Sequence, residues 1–171
     1  MTTKYKHLVW DWNGTLLNDV WLCVDVMNSL LRTRNIKPLT IERYKEIFDF
    51  PVEKYYQRVG FDFNKESFEL VGTEFIVAYD KRQFECKLHD KASEVVDILA
   101  GNGISQYVLS ARQQSQLEKG ITHYGLQKHI KRSIGLNNHY AAGKTGNARR
   151  FMKTHRINPL ETLFVGDTFH D

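Results

Sequence analysis

His7-Leu-Val-Trp-Asp-Trp-Asn-Gly-Thr-Leu16 is the stretch from which the fold is read. A short apolar run stops at Asp11, and Asn13-Gly14 supplies turn chemistry directly after it. That pattern is a buried strand delivering its last residues into a loop. Further along, residues 104–109 form a second apolar run that ends at Ser110, and Thr162-Leu-Phe-Val-Gly166 a third that ends at Asp167. Ser133–Leu136 is a weaker strand candidate. Helical apolar spacing fills the intervals at Lys91–Ala100, Gln113–Tyr124 and Lys144–His155. Strands alternating with helices at this spacing imply βαβ units and a parallel sheet.

From about Val20 to Lys87 the alternation stops and only helical patterns occur. They lie at Trp21–Arg34, at Ile41–Phe48 behind a Thr40 N-cap, at Val52–Val59 and around Lys65–Phe84. The expected fold is α/β: a Rossmann-like parallel sheet with helices on both faces, residues 1–18 and 88–171, carrying an inserted helical cap domain at 19–87.

Of the 171 residues, 42% are hydrophobic and 26% charged, as in an ordinary globular protein. No run approaches the ~18 apolar residues that cross a bilayer. The first fifteen residues lack an apolar segment ahead of a small-residue cleavage site, so no secretory signal is expected. Cys23 and Cys86 have no metal-ligand spacing and read as free thiols of a cytoplasmic protein. The net charge is +4, but Lys and Arg are spread along the chain and interleave with no nucleic-acid motif. Neither nucleic acid nor membrane is therefore expected as a partner; oligomeric state is not legible.

Three features share the C-terminal ends of expected strands, where an open parallel sheet borders its ligand crevice. They are Asp11-Trp12-Asn13-Gly14-Thr15-Leu16, then Ser110, then Gly166-Asp167 with Asp171 four residues on. Lys144 opens the helix before the last strand. Carboxylates from separate strands would form a hard-oxygen site suited to Mg²⁺. A serine hydroxyl and a lysine ammonium beside them would make a phosphate receptor.

On these motifs the chain resembles the haloacid dehalogenase superfamily, in its phosphoglycolate-phosphatase-like branch with a helical cap. The family's Asp-x-Asp-Gly-Thr-Leu corresponds to Asp11–Leu16, its Ser or Thr after a strand to Ser110, its Lys to Lys144, and its Gly-Asp-x-x-x-Asp to Gly166–Asp171. The resemblance implies Mg²⁺-dependent hydrolysis of a small phosphorylated metabolite. Asp11 would be the nucleophile and carry an aspartyl-phosphate. Asp11, the Asn13 backbone carbonyl and Asp167 would hold Mg²⁺, with Asp171 as a further ligand or a partner of one. Ser110, Lys144 and backbone N–H groups after Asp11 would bind the phosphoryl oxygens.

The chain departs from this pattern twice. Asn13 stands where the family has a second Asp, the general acid and base, whose contribution to rate is roughly 10²–10⁴. His139, Tyr140 and His170 are near motif residues in sequence, and nothing selects one of them as a replacement. Aryl and acyl phosphates, whose leaving groups depart without an acid, would be least affected. The second departure is the C-terminal part of the core, expected to be missing because such phosphatases continue past the fourth motif.

Two rival functions follow. One is a degenerate module that binds Mg²⁺ and a phosphorylated ligand with little turnover; the other is hydrolysis at carbon, against which the metal motif speaks. Blander roles stay open as well: Ser110 as a helix N-cap, Lys144 as a solvated first-turn residue, Asp171 as a terminal charge. In the cap, Lys54, Tyr55, Tyr56 and Arg58 are the candidates to face the crevice, and Arg112 is a further candidate for reaching substrate.

Overall fold

A computed structural model describes residues 4–136 and 144–168. Its main sheet is formed by β1 (His7–Trp10), β4 (Ser105–Gln113), β5 (Ile130–Leu136) and β6 (Thr162–Val165). The strand order is β5-β4-β1-β6 and every pairing is parallel. β1 lies between β4 and β6, with His7 opposite both Ser105 and Thr162 and Trp10 opposite both Val108 and Val165. From β1 the chain builds outward to β4 and β5, then crosses back to place β6 on the other flank. That reversal puts a topological switch point beside the C-terminal end of β1.

Alternation along the strands sorts the side chains onto two faces. Leu8, Trp10 and Val108 pack with Val96 of α5 (Ala92–Gly101) and with Leu117 and Ile121 of α6 (Gln114–His123). Val9, Tyr107 and Leu109 pack with Phe151 of α7 (Lys144–Thr154) and with Ile157. Helices therefore cover both faces, as expected from the sequence. The buried Gln106 side chain in the sheet is satisfied: it accepts from Trp10 Nε1 at 3.0 Å and donates to the Val96 carbonyl at 2.8 Å.

Between β2 (Leu17–Asn18) and β3 (Lys87–Leu88) come four α-helices, α1 (Val20–Thr33), α2 (Ile41–Ile47), α3 (Val52–Val59) and α4 (Phe68–Arg82), and a 3-10 turn at Gln83–Glu85. β2 and β3 pair antiparallel, so the chain leaves and re-enters the sheet side at one point. This two-residue ribbon is too short to show in the apolar pattern. In α1, Leu22, Val26 and Leu30 repeat at i+4 alongside Met27 and Leu31, all buried, which is the periodicity of a one-sided helix. Thr40 caps α2 as its sequence implies, accepting from Arg43 N at 3.1 Å.

α4 starts later than Lys65, because Ser67 is its cap and accepts from Leu70 N at 3.2 Å. Residues 62–65 form a turn of their own, held by Asp62 accepting from Asn64 N at 3.1 Å. Arg34, just past α1, clamps that region with 2.7 Å contacts to Glu66 and a 2.8 Å contact to Glu74. Around these helices runs a continuous aromatic cluster that includes Tyr44, Phe48, Tyr55, Tyr56, Phe68 and Phe75, with ring centroids 5.0–6.3 Å apart.

β4 is longer than its apolar run. It continues past Ser110 to Gln113, which pairs with Leu136 beyond an irregularity in the ladder. Among the described residues β6 pairs with β1 alone, and its Leu163 and Phe164 are each more than a third exposed.

Candidate active site

The loop after β1 is folded tightly on itself. Leu16 N and Leu17 N both donate to the Trp12 carbonyl, at 3.0 and 2.9 Å, and Gly14 N donates to the Leu17 carbonyl at 2.9 Å. Gly14 has φ +75°, a conformation that glycine adopts without strain. The Gly14 carbonyl accepts from His89 Nε2 at 3.1 Å, which fixes the proton on that ring nitrogen. Asp11 is anchored at the head of the loop by its own N–H, which donates to the Val165 carbonyl of β6 at 2.8 Å. Trp12 points inward, almost fully buried, against α6.

Asp167, far from Asp11 along the chain, reaches the same loop. Its Oδ2 sits 2.1 Å from where a Cβ on Gly14 would be, so only a glycine admits this carboxylate. Its Oδ1 is 3.5 Å from the Thr15 hydroxyl, at the edge of hydrogen-bond range. Asp11, Asn13, Ser110 and Asp167 all line one cavity of about 210 Å³. Three separate parts of the chain, carried by β1, β4 and β6, thus contribute to one cavity near the C-terminal side of the sheet.

Ser110 lines this cavity but caps no helix. α6 begins four residues later, at Gln114, and the Ser110 hydroxyl accepts instead from Arg112 N at 3.1 Å. The cause is the extension of β4: residues 111–113 stay alongside β5 before the chain turns. Lys144 is the first residue of α7, as expected, and its side chain is not among those described. Asp171, His139, Tyr140 and His170 lie outside the described residues. Of the four cap candidates, Tyr55 and Tyr56 line the cavity, whereas Lys54 and Arg58 do not; Arg58 turns away to the Ile47 carbonyl at 3.2 Å.

Asp19 is the site residue that sequence reading missed. Buried to 1% exposure at the N-cap position of α1, its side chain caps no backbone N–H of that helix and accepts instead from the Cys23 thiol at 3.7 Å. Its Oδ2 accepts from Asn13 Nδ2 at 2.6 Å and from the Tyr79 hydroxyl at 2.6 Å, and its Oδ1 accepts from Gly14 N at 2.9 Å. The Asn13 amide also donates to the Tyr79 oxygen at 3.0 Å. Position 13 is therefore tied into the protein by both amide hydrogens. The available signal was an acidic residue a few places after Asn13 and immediately before a helix; such a position reads equally well as a plain cap.

Burial, then the Asp19 carboxylate, push the Tyr79 phenol far above its ordinary pKa, so it stays a donor. The same two causes raise the Cys23 thiol, and push Cys86 up to about 12. Both cysteines are free. Among the described residues no three His, Cys, Asp or Glu side chains gather as a ready metal cluster. The oxygen donors at hand are the Asp11 and Asp167 carboxylates and the backbone of the Asn13–Thr15 loop. No described helix is long and apolar enough to cross a membrane.

The model of the haloacid dehalogenase-like hydrolase family matches residues 8–171. Among curated proteins none matches the chain. Several solved structures share the fold. A predicted phosphoglycolate phosphatase of Haemophilus somnus superposes with a TM-score of 0.78 at 17% identity, over 98% of this chain and 79% of that one. A hydrolase of the haloacid dehalogenase-like family from Streptococcus pneumoniae gives 0.82 at 14% identity, over 98% and 78%. Protein tyrosine kinase A of Mycobacterium tuberculosis gives 0.83 at 18% identity, over 99% and 78%. Names so different on one scaffold mean that these likenesses carry the fold alone. The family match is stronger, since it spans the first strand, the loop that carries Asp11 and the segment that carries Asp167: the chain belongs to the haloacid dehalogenase-like hydrolases.

Proposed function

We propose that the protein hydrolyses a small phosphomonoester through an aspartyl-phosphate on Asp11. The observation that carries this reading is the convergence of Asp11, Asn13, Ser110 and Asp167 on one cavity at the strand ends. An Asp11 carboxylate oxygen attacks phosphorus, the bond to the ester oxygen breaks, and the leaving group departs as its oxyanion, which takes up the proton that the attacking water gives up in the second step. Water then attacks the acyl-phosphate, releasing inorganic phosphate and restoring Asp11. Ser110 and Lys144 bind phosphoryl oxygens and the charge that builds on them.

The donor set fits Mg²⁺. Asp11, the Asn13 carbonyl and Asp167 supply hard oxygen, and Gly14 leaves space for the Asp167 carboxylate to approach the loop. Asp171 adds a further carboxylate in this reading. Bound there, the ion would offset the repulsion between an anionic nucleophile and an anionic ester. Residues 1–18 and 88–171 serve as the catalytic core, and 19–87 as a cap that excludes water and selects the ester. A cytoplasmic setting completes the reading.

Replacing Asp11 by Asn tests it. Freshly purified, folded Asp11→Asn protein is expected to lose all but a few per cent of Mg²⁺-dependent activity on an aryl phosphate. Retention of more than that would remove Asp11 as nucleophile. A second reading, ligand binding with little turnover, is favoured by the fixed amide at position 13, which donates both hydrogens into the protein. Wild-type protein that binds phosphate and Mg²⁺ but hydrolyses nothing would decide for it.

A further inference from the structure

We infer that the leaving group accepted by this site is an uncharged aromatic ring, so that the substrate class is an aryl phosphate and not a phosphorylated carboxylic acid. The phosphoryl end of this inference rests on the phosphatase reading above; the ring end rests on the cavity wall.

The cavity has two unlike kinds of lining. Asp11, Asn13, Ser110 and Asp167 form the polar one. The rest of the lining is rich in rings from the helical segment, among them Tyr44, Phe48, Tyr55, Tyr56 and Phe75. An ester held with its phosphorus at Asp11 has its leaving group among these rings, where flat apolar groups stack in offset or edge-on contact. A volume of about 210 Å³ suits one ring beside a phosphoryl group, given that a cavity of about 150 Å³ admits benzene.

Charge argues in the same direction. Among the described residues that line the cavity there are four carboxylates, Asp11, Asp19, Asp80 and Asp167, and one cation, Arg112. Arg112 is already engaged: its Nη2 donates to Asp80 Oδ1 at 2.7 Å and to Gln83 Oε1 at 3.0 Å, and its guanidinium lies 4.8 Å over the Tyr79 ring. A carboxylate on the leaving group would meet a guanidinium already neutralised by Asp80, and would lose its hydration without a partner. A neutral ring loses little on entering. Asn13 points to the same class for an independent chemical reason: a phenolic oxygen departs with little protonation, so the amide at that position handicaps an aryl ester least.

Binding tests the inference apart from turnover. Calorimetry on the whole chain with saturating Mg²⁺ would compare benzylphosphonate, which mimics phenyl phosphate, with 3-phosphonopropanoate, which mimics phosphoglycolate. Benzylphosphonate is expected to bind about tenfold tighter or more. Equal affinity, the reverse order, or no binding of benzylphosphonate overturns the inference. Asp80→Asn, which unpairs the Arg112 charge, is expected to raise affinity for 3-phosphonopropanoate about fivefold or more while benzylphosphonate stays within about twofold. An unchanged ratio in a folded variant overturns the charge argument. Turnover of phenyl phosphate and phosphoglycolate then separates the two readings. Phosphoglycolate hydrolysis with the reverse binding order sinks this inference and leaves the phosphatase standing. The expected binding order with no metal-dependent hydrolysis of either ester does the opposite.

Discussion

At the scale of single residues, the decisive contact is Asn13 with Asp19. From sequence, Asn13→Asp is expected to supply the acid of the family pattern and to speed alkyl esters. The structure adds a cost, because Asn13 Nδ2 stands 2.6 Å from a buried carboxylate. An aspartate at position 13 would set two carboxylates against each other and break both donations to Asp19 and Tyr79. Asn13→Asp is therefore expected to destabilise the fold by about 1–3 kcal/mol, and Asp19→Asn in the same chain to recover most of that. Urea unfolding of the two single variants and the double variant measures the coupling; additive losses would mean that the two side chains do not touch. Tyr55 gives the opposite case. Its hydroxyl is buried with no hydrogen-bond partner among the described residues. Tyr55→Phe removes an unsatisfied group without a cavity and is expected to raise stability by about 1 kcal/mol. The urea midpoint should rise with the slope unchanged; a fall would reveal a partner for the hydroxyl.

At the scale of elements, two helical glycines should respond to the same change with opposite sign. In an isolated helix Gly→Ala stabilises by about 0.5–1 kcal/mol. Gly72 in α4 meets nothing within 4 Å of a built Cβ, so Gly72→Ala is expected to show that gain. Gly120 in α6 is different: its Cβ would lie 2.9 Å from Trp12 Cζ2, a ring 1% exposed with no room to retreat. Overpacking there costs about 1–3 kcal/mol, which exceeds the propensity gain. Gly120→Ala should melt lower than wild type and Gly72→Ala higher. Equal shifts would show that Trp12 is not wedged against α6, and so does not fix where the Asp11 loop leaves the sheet.

At the scale of the whole molecule, the site joins β1, which starts at His7, to β6, which starts at Thr162, so a cation bound there should brace the entire fold. A ligand that binds only the folded chain stabilises it by mass action, about 2.7 kcal/mol at a hundred times its Kd. Mg²⁺ is expected to raise the melting temperature by several degrees, EDTA to reverse this, and Asp167→Ala to abolish the shift by weakening affinity about tenfold or more. A melting curve of Asp167→Ala that still responds to Mg²⁺ as wild type does would place the ion elsewhere.

What the sequence determined by itself was whatever depends on near neighbours. The strand at His7–Trp10 and the helix at Val52–Val59 agree to the residue with their apolar patterns, and the Thr40 cap was readable because a cap needs only its own helix. That Asp11 and Asp167 follow strands and Ser110 closes an apolar run was readable because turn and strand chemistry brackets each one. Only the tertiary structure decided the rest. Ser110 lies within β4 because β5 holds residues 111–113 in place, through a pairing of Gln113 with the distant Leu136. Lys54 and Arg58 leave the cavity because α3 turns its tyrosines inward and its charges to solvent. Asp19 joins the site because Tyr79, 60 residues away, folds down to meet it. Local pattern records which atoms a segment wants buried; which distant group they are buried against is settled by packing.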